Sequence, residues 1–306
     1  MRFRRDLILA VLATFCLTST LFMIVPIRSD PANESSRYDP WADLNCDGTI
    51  DIFDAIDFAG HFGGVGTPLN KSLWYYANWY DALVGYWKFD EGTGNLTVDA
   101  SGHGNDGALI NDPTWVDGKY GKALSFNGTN YVSIADSERS LEVQNFTWEA
   151  WIYLTQRPYE QGALFPSILN KSRTDLEWGT FGYSLVFGYP NSTDDHLAVL
   201  MGVIGDGPIV PLLYNSINDL TLNQWHQVVV TFESLRAYAS DTTTLYIDGI
   251  LRLSKTWPYA HELIYWESFP LLLGSDGFSG LIDDVMIYNR TLSAEEVIWH
   301  YVLPPP

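Results

Sequence analysis

Residues 146–154 read FTWEAWIYL and residues 225–232 read WHQVVVTF. Both are short runs of aromatic and β-branched residues with no helical spacing, which is the composition of strands. Working outward, runs of the same kind recur as LVGYWKF (83–89), ALSF (123–126), YVSIA (131–135), YSLVFGY (183–189), LAVLMGVI (197–204), TLYIDGILRL (244–253) and LIDDVMIYN (281–289). Gly, Asn and Asp separate them, as turns require. Regularly spaced short strands without helices between them predict a mainly β fold, a two-sheet antiparallel sandwich. Only the end differs. Ser293 followed by Glu296 forms a capping box and predicts a short C-terminal helix through His300.

The 306 residues are 46% apolar and 15% aromatic, enough to build a sizeable core. Lysine and arginine number 17 against 37 acidic residues, a formal charge of −20 whose field repels polyanions and argues against nucleic acid as a partner. Arg2, Arg4 and Arg5 precede an uncharged run from Leu7 to Val25. That is the layout of an export signal, and its length equally suits an uncleaved membrane anchor. Eight of the sixteen asparagines open N-x-S/T triplets: Asn33, Asn70, Asn95, Asn127, Asn145, Asn170, Asn191 and Asn289. They are candidates for N-glycosylation, with turn chemistry as the alternative. An extracellular or cell-surface protein is expected, divided into a leader (1–29), a tether with an acidic loop (30–63), a linker (64–82) and the sandwich (83–302).

The acidic loop is DLNCDGTIDIFD at residues 43–54. Side-chain oxygens fall at loop positions 1, 3, 5, 9 and 12 (Asp43, Asn45, Asp47, Asp51 and Asp54), glycine stands at position 6, and the Thr49 carbonyl is available at position 7. Calcium requires six to eight hard oxygen ligands in that alternation, so a Ca2+ site is expected here. Ile52, Ala55, Ile56, Ala59 and Phe62 then recur at helical spacing. Residues 38–63 resemble one repeat of a dockerin pair. A dockerin binds a cohesin through two such repeats and this chain carries one, so the expected partner of the helix is a cohesin-like protein, another protein surface or the sandwich itself.

Residues 84–109 (VGYWKFDEGTGNLTVDASGHGNDGAL), 118–135 (GKYGKALSFNGTNYVSIA) and 279–296 (SGLIDDVMIYNRTLSAEE), with the three inner strands between them, resemble the laminin-G-like jelly-roll domain of the concanavalin A-like lectin/glucanase type. The resemblance spans residues 83–302. It implies a jelly roll and a second, structural calcium where the first turn meets the last strand, held by Asp99, Asn105 and Asp283. The alternative is that Asp99 and Asn105 only shape an Asx-type turn. Trp151 and Trp225 lie inside alternating strands and are read as core.

Glycosidases of this fold need two carboxyl groups about 5–10 Å apart. No E-x-D-x-x-E strand motif occurs, and the strand at 147–154 offers only Glu149, read as an outward residue. His103, His226, His261 and His300 are scattered, and no nucleophile or metal-hydrolase motif is present, so no catalytic residues and no enzyme activity are expected. Binding is the better expectation. Sugars need exposed aromatics beside polar groups. The candidates are Trp257, Tyr259, Tyr265 and Trp266 in the insertion TWPYAHELIYWESF (256–269), and Trp178 after TQRPYEQGALFPS (155–167). Extra hydrophobic cover is the alternative for both. A carbohydrate or glycoprotein is therefore the expected ligand, and a structural or adhesion subunit binding protein partners is the competing expectation.

Overall fold

A computed structural model describes residues 82–136, 138–163, 165–175, 179–188, 196–203, 207–215, 218–235, 240–258, 263 and 269–305. The leader, the 43–54 loop and the helix expected after it lie outside the described residues.

Two antiparallel sheets face each other. The first runs β14 (Ile250–Trp257), β13 (Ser240–Ile247), β12 (Trp225–Leu235), β7 (Phe146–Tyr153), β16 (Ser279–Tyr288), β5 (Lys122–Asn127), β4 (Thr114–Asp117), with β1 (Leu83–Trp87) also paired to β16. The second runs β11 (Gly207–Asn215), β10 (His196–Val203), β9 (Gly179–Phe187), β8 (Ser167–Asp175), β15 (Leu271–Ser275), β6 (Tyr131–Ile134), β3 (Gly107–Ile110), β2 (Leu96–Thr97). This is the sandwich that the strand spacing predicts.

Alternation along each strand explains the core. Phe146, Trp148, Ala150 and Ile152 of β7 turn inward and meet Val228, Val230 and Phe232 of β12 and Tyr183 and Leu185 of β9. Phe146 stacks on Trp148 at 4.0 Å between ring centres, and Trp148 lies 4.7 Å from Tyr183 across the sandwich. Burying rings of this size dominates the stability of such a core.

The run 244–253, read from sequence as one stretch, is a hairpin. Asp248 and Gly249 both adopt positive φ, 53° and 70°, as a tight two-residue turn between β13 and β14 demands. Asp248 also holds the turn from its side chain, accepting the Gln227 N–H at 3.0 Å and lying 2.7 Å from His226 Nδ1.

The closing strand β16 has two partners on one edge. Its first half, Ser279–Ile282, pairs with β5, and its second half, Val285–Tyr288, pairs with β1. Against β7 on the other edge the register shifts between Asp283 and Met286, and Asp284 takes a left-handed φ of 46°. The bulge lets one strand serve both neighbours.

The helix α1 (Ala294–Val302) starts where the capping box places it. Ser293 Oγ accepts the Glu296 N–H at 3.2 Å, and Glu296 Oε2 accepts the Ser293 N–H at 2.7 Å. Arg290 pairs with Glu296 at 2.7 Å, and Val297 and His300 are buried. No helix of the described residues is long and apolar enough to cross a membrane. Ser293→Ala is expected to cost about 1 kcal/mol, measured as a lower urea midpoint with an unchanged denaturant slope.

Candidate functional site

The strand face that turns away from the sandwich core carries the chemistry. On β7 the outward positions are Thr147, Glu149, Trp151 and Tyr153, between the inward set of Phe146, Trp148, Ala150 and Ile152. Trp151 stands in register with Gln227 of β12 and Asp283 of β16, and Tyr153 with Trp225 and Leu281. Three strands thus bring aromatic and ionisable groups onto one surface.

Part of that surface lies under α1. Glu149 points outward as expected, yet it is only 2% exposed. Its Oε1 accepts the Gln227 amide at 2.6 Å, and its Oε2 lies 2.6 Å from His300 Nδ1. With both oxygens taken beneath the helix, Glu149 has no face left for a glycosidic bond. Trp151 is buried by the same helix, with Tyr301 stacked on it at 5.7 Å and Tyr120 edge-on at 6.0 Å.

Beside them the bulge of β16 buries two consecutive carboxyl groups. Asp283 Oδ2 accepts the N–H groups of Lys119 (2.7 Å) and Tyr120 (3.1 Å), fastening the turn between β4 and β5. Gly118 has no side chain because a Cβ there would sit 2.5 Å from that same oxygen. Asp284 Oδ1 accepts the Tyr86 hydroxyl of β1 at 2.8 Å, while its buried Oδ2 has no hydrogen-bond partner among the described residues. Burial raises both carboxyls well above the usual range; the charge of Asp284 adds to the rise at Asp283, and the Tyr86 hydrogen bond opposes it at Asp284. Burial first, and then the nearby Asp284 and Glu149, push the Tyr120 phenol up to about 12.

Where the helix ends, the aromatic surface reaches solvent. Trp225 and Tyr153 are half-buried cross-strand partners with ring centres 5.6 Å apart, crossing at 60°. Tyr120 is half-buried, and the exposed Lys119 places Nζ 4.4 Å above Trp151 and 5.6 Å above Tyr120. Trp151 thus fits the expectation of burial, although on the outer face, while Trp225 stands outside the core cluster. The strand pattern signals both rings; it does not tell which side of the sheet is left open.

The other expected site residues are placed as follows. Asp99 takes the turn role: Oδ1 accepts the N–H groups of Tyr86 (3.0 Å) and Ser101 (2.9 Å), and Oδ2 that of Asn105 (3.0 Å). Asn105 donates to the Val84 carbonyl at 2.8 Å and accepts from Ser140 Oγ at 3.0 Å. Asp283 serves the separate network described above. The three side chains therefore spend their oxygens on backbone and hydroxyl donors, and no group of three His, Cys, Asp or Glu among the described residues is arranged to hold a metal ion.

Trp257 ends the edge strand β14, half-buried with Lys255 Nζ 3.9 Å above its ring. In the same insertion Leu263 is buried in the core and exchanges two backbone hydrogen bonds with the Gln144 side chain. At that point the insertion is hydrophobic cover. Tyr259, Tyr265, Trp266 and Trp178 lie outside the described residues, as do Asn33, Asn70 and Asn191.

The remaining N-x-S/T asparagines divide. Asn127 and Asn170 each accept from the N–H and hydroxyl of their own Thr129 or Ser172, closing local turns. Asn145 accepts the Ser234 N–H, while Asn95 and Asn289 are exposed.

Residues 126–298, more than half of the chain, match a laminin-G family model described as the concanavalin A-like lectin/glucanases superfamily. No curated protein matches the sequence. Among solved structures, domain 4 of the extracellular arabinanase AbnA from Geobacillus stearothermophilus, in complex with arabinotriose, is similar with a TM-score of 0.51 at 17% identity, over 71% of this chain and 96% of that domain. The binding domain of Paraclostridial Mosquitocidal Protein 1 is similar with a TM-score of 0.55 at 21% identity, over 72% of this chain and 52% of the other. The binding domain of botulinum neurotoxin DC, in complex with SialylT, gives 0.53 at 14% identity, over 72% and 51%. The chain thus spans about half the length of the two toxin domains and nearly all of the arabinanase domain. At these identities the likeness is one of fold.

The Tyr86–Asp284 pair makes the surface testable. Tyr86→Phe leaves a buried carboxyl without its phenol donor and is expected to cost about 1–3 kcal/mol. An unfolding midpoint equal to that of the unmodified chain would show that the phenol supplies nothing to Asp284.

Proposed function

The chain belongs to the concanavalin A-like lectin/glucanases superfamily, and from that premise we propose that it is a non-catalytic carbohydrate-binding protein of the cell exterior. The observation that carries this reading is the Trp225–Tyr153 pair on the outer face of the first sheet. Two half-buried rings held at fixed spacing by adjacent strands present a rigid apolar surface. Sugar rings offer C–H faces to such a surface and hydroxyls to polar groups of the same face, where the Lys119 ammonium and Tyr120 stand against Trp151. The platform needs little ordering on binding, because the strands already fix it.

Three further facts support the reading. Glu149, the one carboxyl that the strand at 147–154 offers, is sealed beneath α1 with both oxygens engaged. The similar arabinanase domain was solved with arabinotriose and the similar neurotoxin domain with SialylT. The leader and the exposed Asn95 and Asn289 triplets fit an exported glycoprotein. Trp257, at the start of the aromatic insertion, is a second contact in this proposal. Protein adhesion is the competing reading, favoured by the exposed Ile250 and Leu251 at the hairpin tip, each 55% exposed.

Calcium belongs to the proposal at the 43–54 loop, where the alternation of Asp43, Asn45, Asp47, Asp51 and Asp54 around Gly48 supports it. Calorimetric titration of the full chain is expected to show one Ca2+ site that Asp47→Ala abolishes. Heat unchanged by that substitution would remove calcium from the loop.

The binding test is a screen of the folded chain against immobilised oligosaccharides, arabinotriose and sialylated glycans included. Trp225→Ala should weaken binding roughly two- to tenfold with an unchanged far-ultraviolet spectrum, since a contact on one ring is worth on the order of 0.5–1.5 kcal/mol. Undiminished glycan binding by that variant would move the site elsewhere, and binding of folded proteins alone would favour adhesion.

A further inference from the structure

The second sheet buries an amine against a carboxyl. Lys171 of β8 is 1% exposed in its side chain and Asp136, just after β6, is 0% exposed, with Nζ and Oδ2 2.7 Å apart. The surroundings are apolar and aromatic. Lys171 stands in register with Tyr183, whose ring lies 4.7 Å from Trp148 and 5.8 Å from Phe146. Lys171 Nζ also donates to the Phe269 carbonyl at 2.7 Å, and Asp136 Oδ1 accepts the Leu141 N–H at 3.2 Å. Both reactive groups are thus clamped by backbone, with few ways to move apart.

Such a pair is costly as two charges, because desolvation offsets much of the attraction between them. Transfer of one proton from the ammonium to the carboxylate turns it into an amine facing a carboxylic acid. With Nζ held 2.7 Å from Oδ2, the carboxyl carbon one bond further on is the electrophile next to the amine. A third group stands by. Glu142 acts electrostatically with Asp136 on both Tyr183 and Arg139, and its buried Oε1 has no hydrogen-bond partner among the described residues, while its Oε2 is held by Arg139 at 2.6 Å. A fixed carboxylate with one unused oxygen is suited to carry a proton.

From this geometry we propose that Lys171 and Asp136 form an intramolecular isopeptide bond. The Nζ lone pair attacks Cγ of the protonated carboxyl, and the nitrogen gives up a proton that Glu142 carries to the departing hydroxyl. A Cγ–Nζ amide forms, one carboxyl C–O bond breaks, and one water leaves. No electron is transferred and no other reactant is needed. The remaining amide hydrogen keeps the bond to Phe269, and the link fastens the segment after β6 to β8.

Peptide mapping of the full chain by mass spectrometry, after enzymatic removal of any glycans, tests this directly. A single branched peptide joining the Asp136 and Lys171 segments is expected, lighter than their sum by one water, together with loss of tryptic cleavage after Lys171. Lys171→Arg should yield only linear peptides. Glu142→Gln, which leaves the reacting pair intact, should lose most of the link while keeping the wild-type far-ultraviolet spectrum. Recovery of both linear peptides as the sole products from folded wild-type chain would reduce the pair to an ion pair and overturn the proposal. A full yield of link in Glu142→Gln would remove Glu142 from the reaction.

Discussion

One strand has to serve two masters on the same edge. β16 meets β5 with its first half and β1 with its second, and a regular strand cannot do so while also keeping step with β7. The bulge at Asp283–Asp284 resolves the conflict, and the two side chains it displaces complete the fastening. Asp283 holds the β4–β5 turn through its N–H groups, and Asp284 holds β1 through the Tyr86 phenol. Backbone strain at a left-handed aspartate and two poorly hydrated carboxyls are the cost of joining the first strand of the sandwich to its last. Every feature of the outer face then follows from where this bulge puts β1, the 118–121 turn and the start of α1.

The helix divides that face. Its capping box and the Arg290–Glu296 pair fix its first turn, and His300 and Tyr301 then settle on Glu149 and Trp151. Under the helix the polar groups are matched to one another: Gln227 to Glu149, Glu149 to His300. Beyond it Trp225 and Tyr153 are left half-open. The same surface is thus an interior on one side and a platform on the other, and the placement of one short helix decides which residues can meet a ligand.

Much of this was legible in the sequence. The strand runs, the sandwich and the Ser293–Glu296 cap follow from local periodicity and side-chain chemistry, which act over a few residues. The Asp248–Gly249 turn was equally local, yet it was hidden in a run that stayed apolar on both sides of it. Contacts across the chain were another matter. Glu149 meets His300 across 151 positions and Asp283 meets Lys119 across 164, and no spacing rule links residues so far apart. Alternation likewise separates the two faces of β12 without telling that Trp225 borders the open one. For Asp99 and Asn105 the sequence left two readings, and the hydrogen bonds that a turn needs are present.

In the proposed function, rings on the outer face of the first sheet receive a sugar. A crystal of the full chain soaked with arabinotriose tests it most directly. Density for a sugar ring stacked against Trp225 and Tyr153, with a hydroxyl within hydrogen-bond distance of Lys119 or Tyr120, is expected. Sugar density seated anywhere else on the domain, with those rings bare, would contradict it.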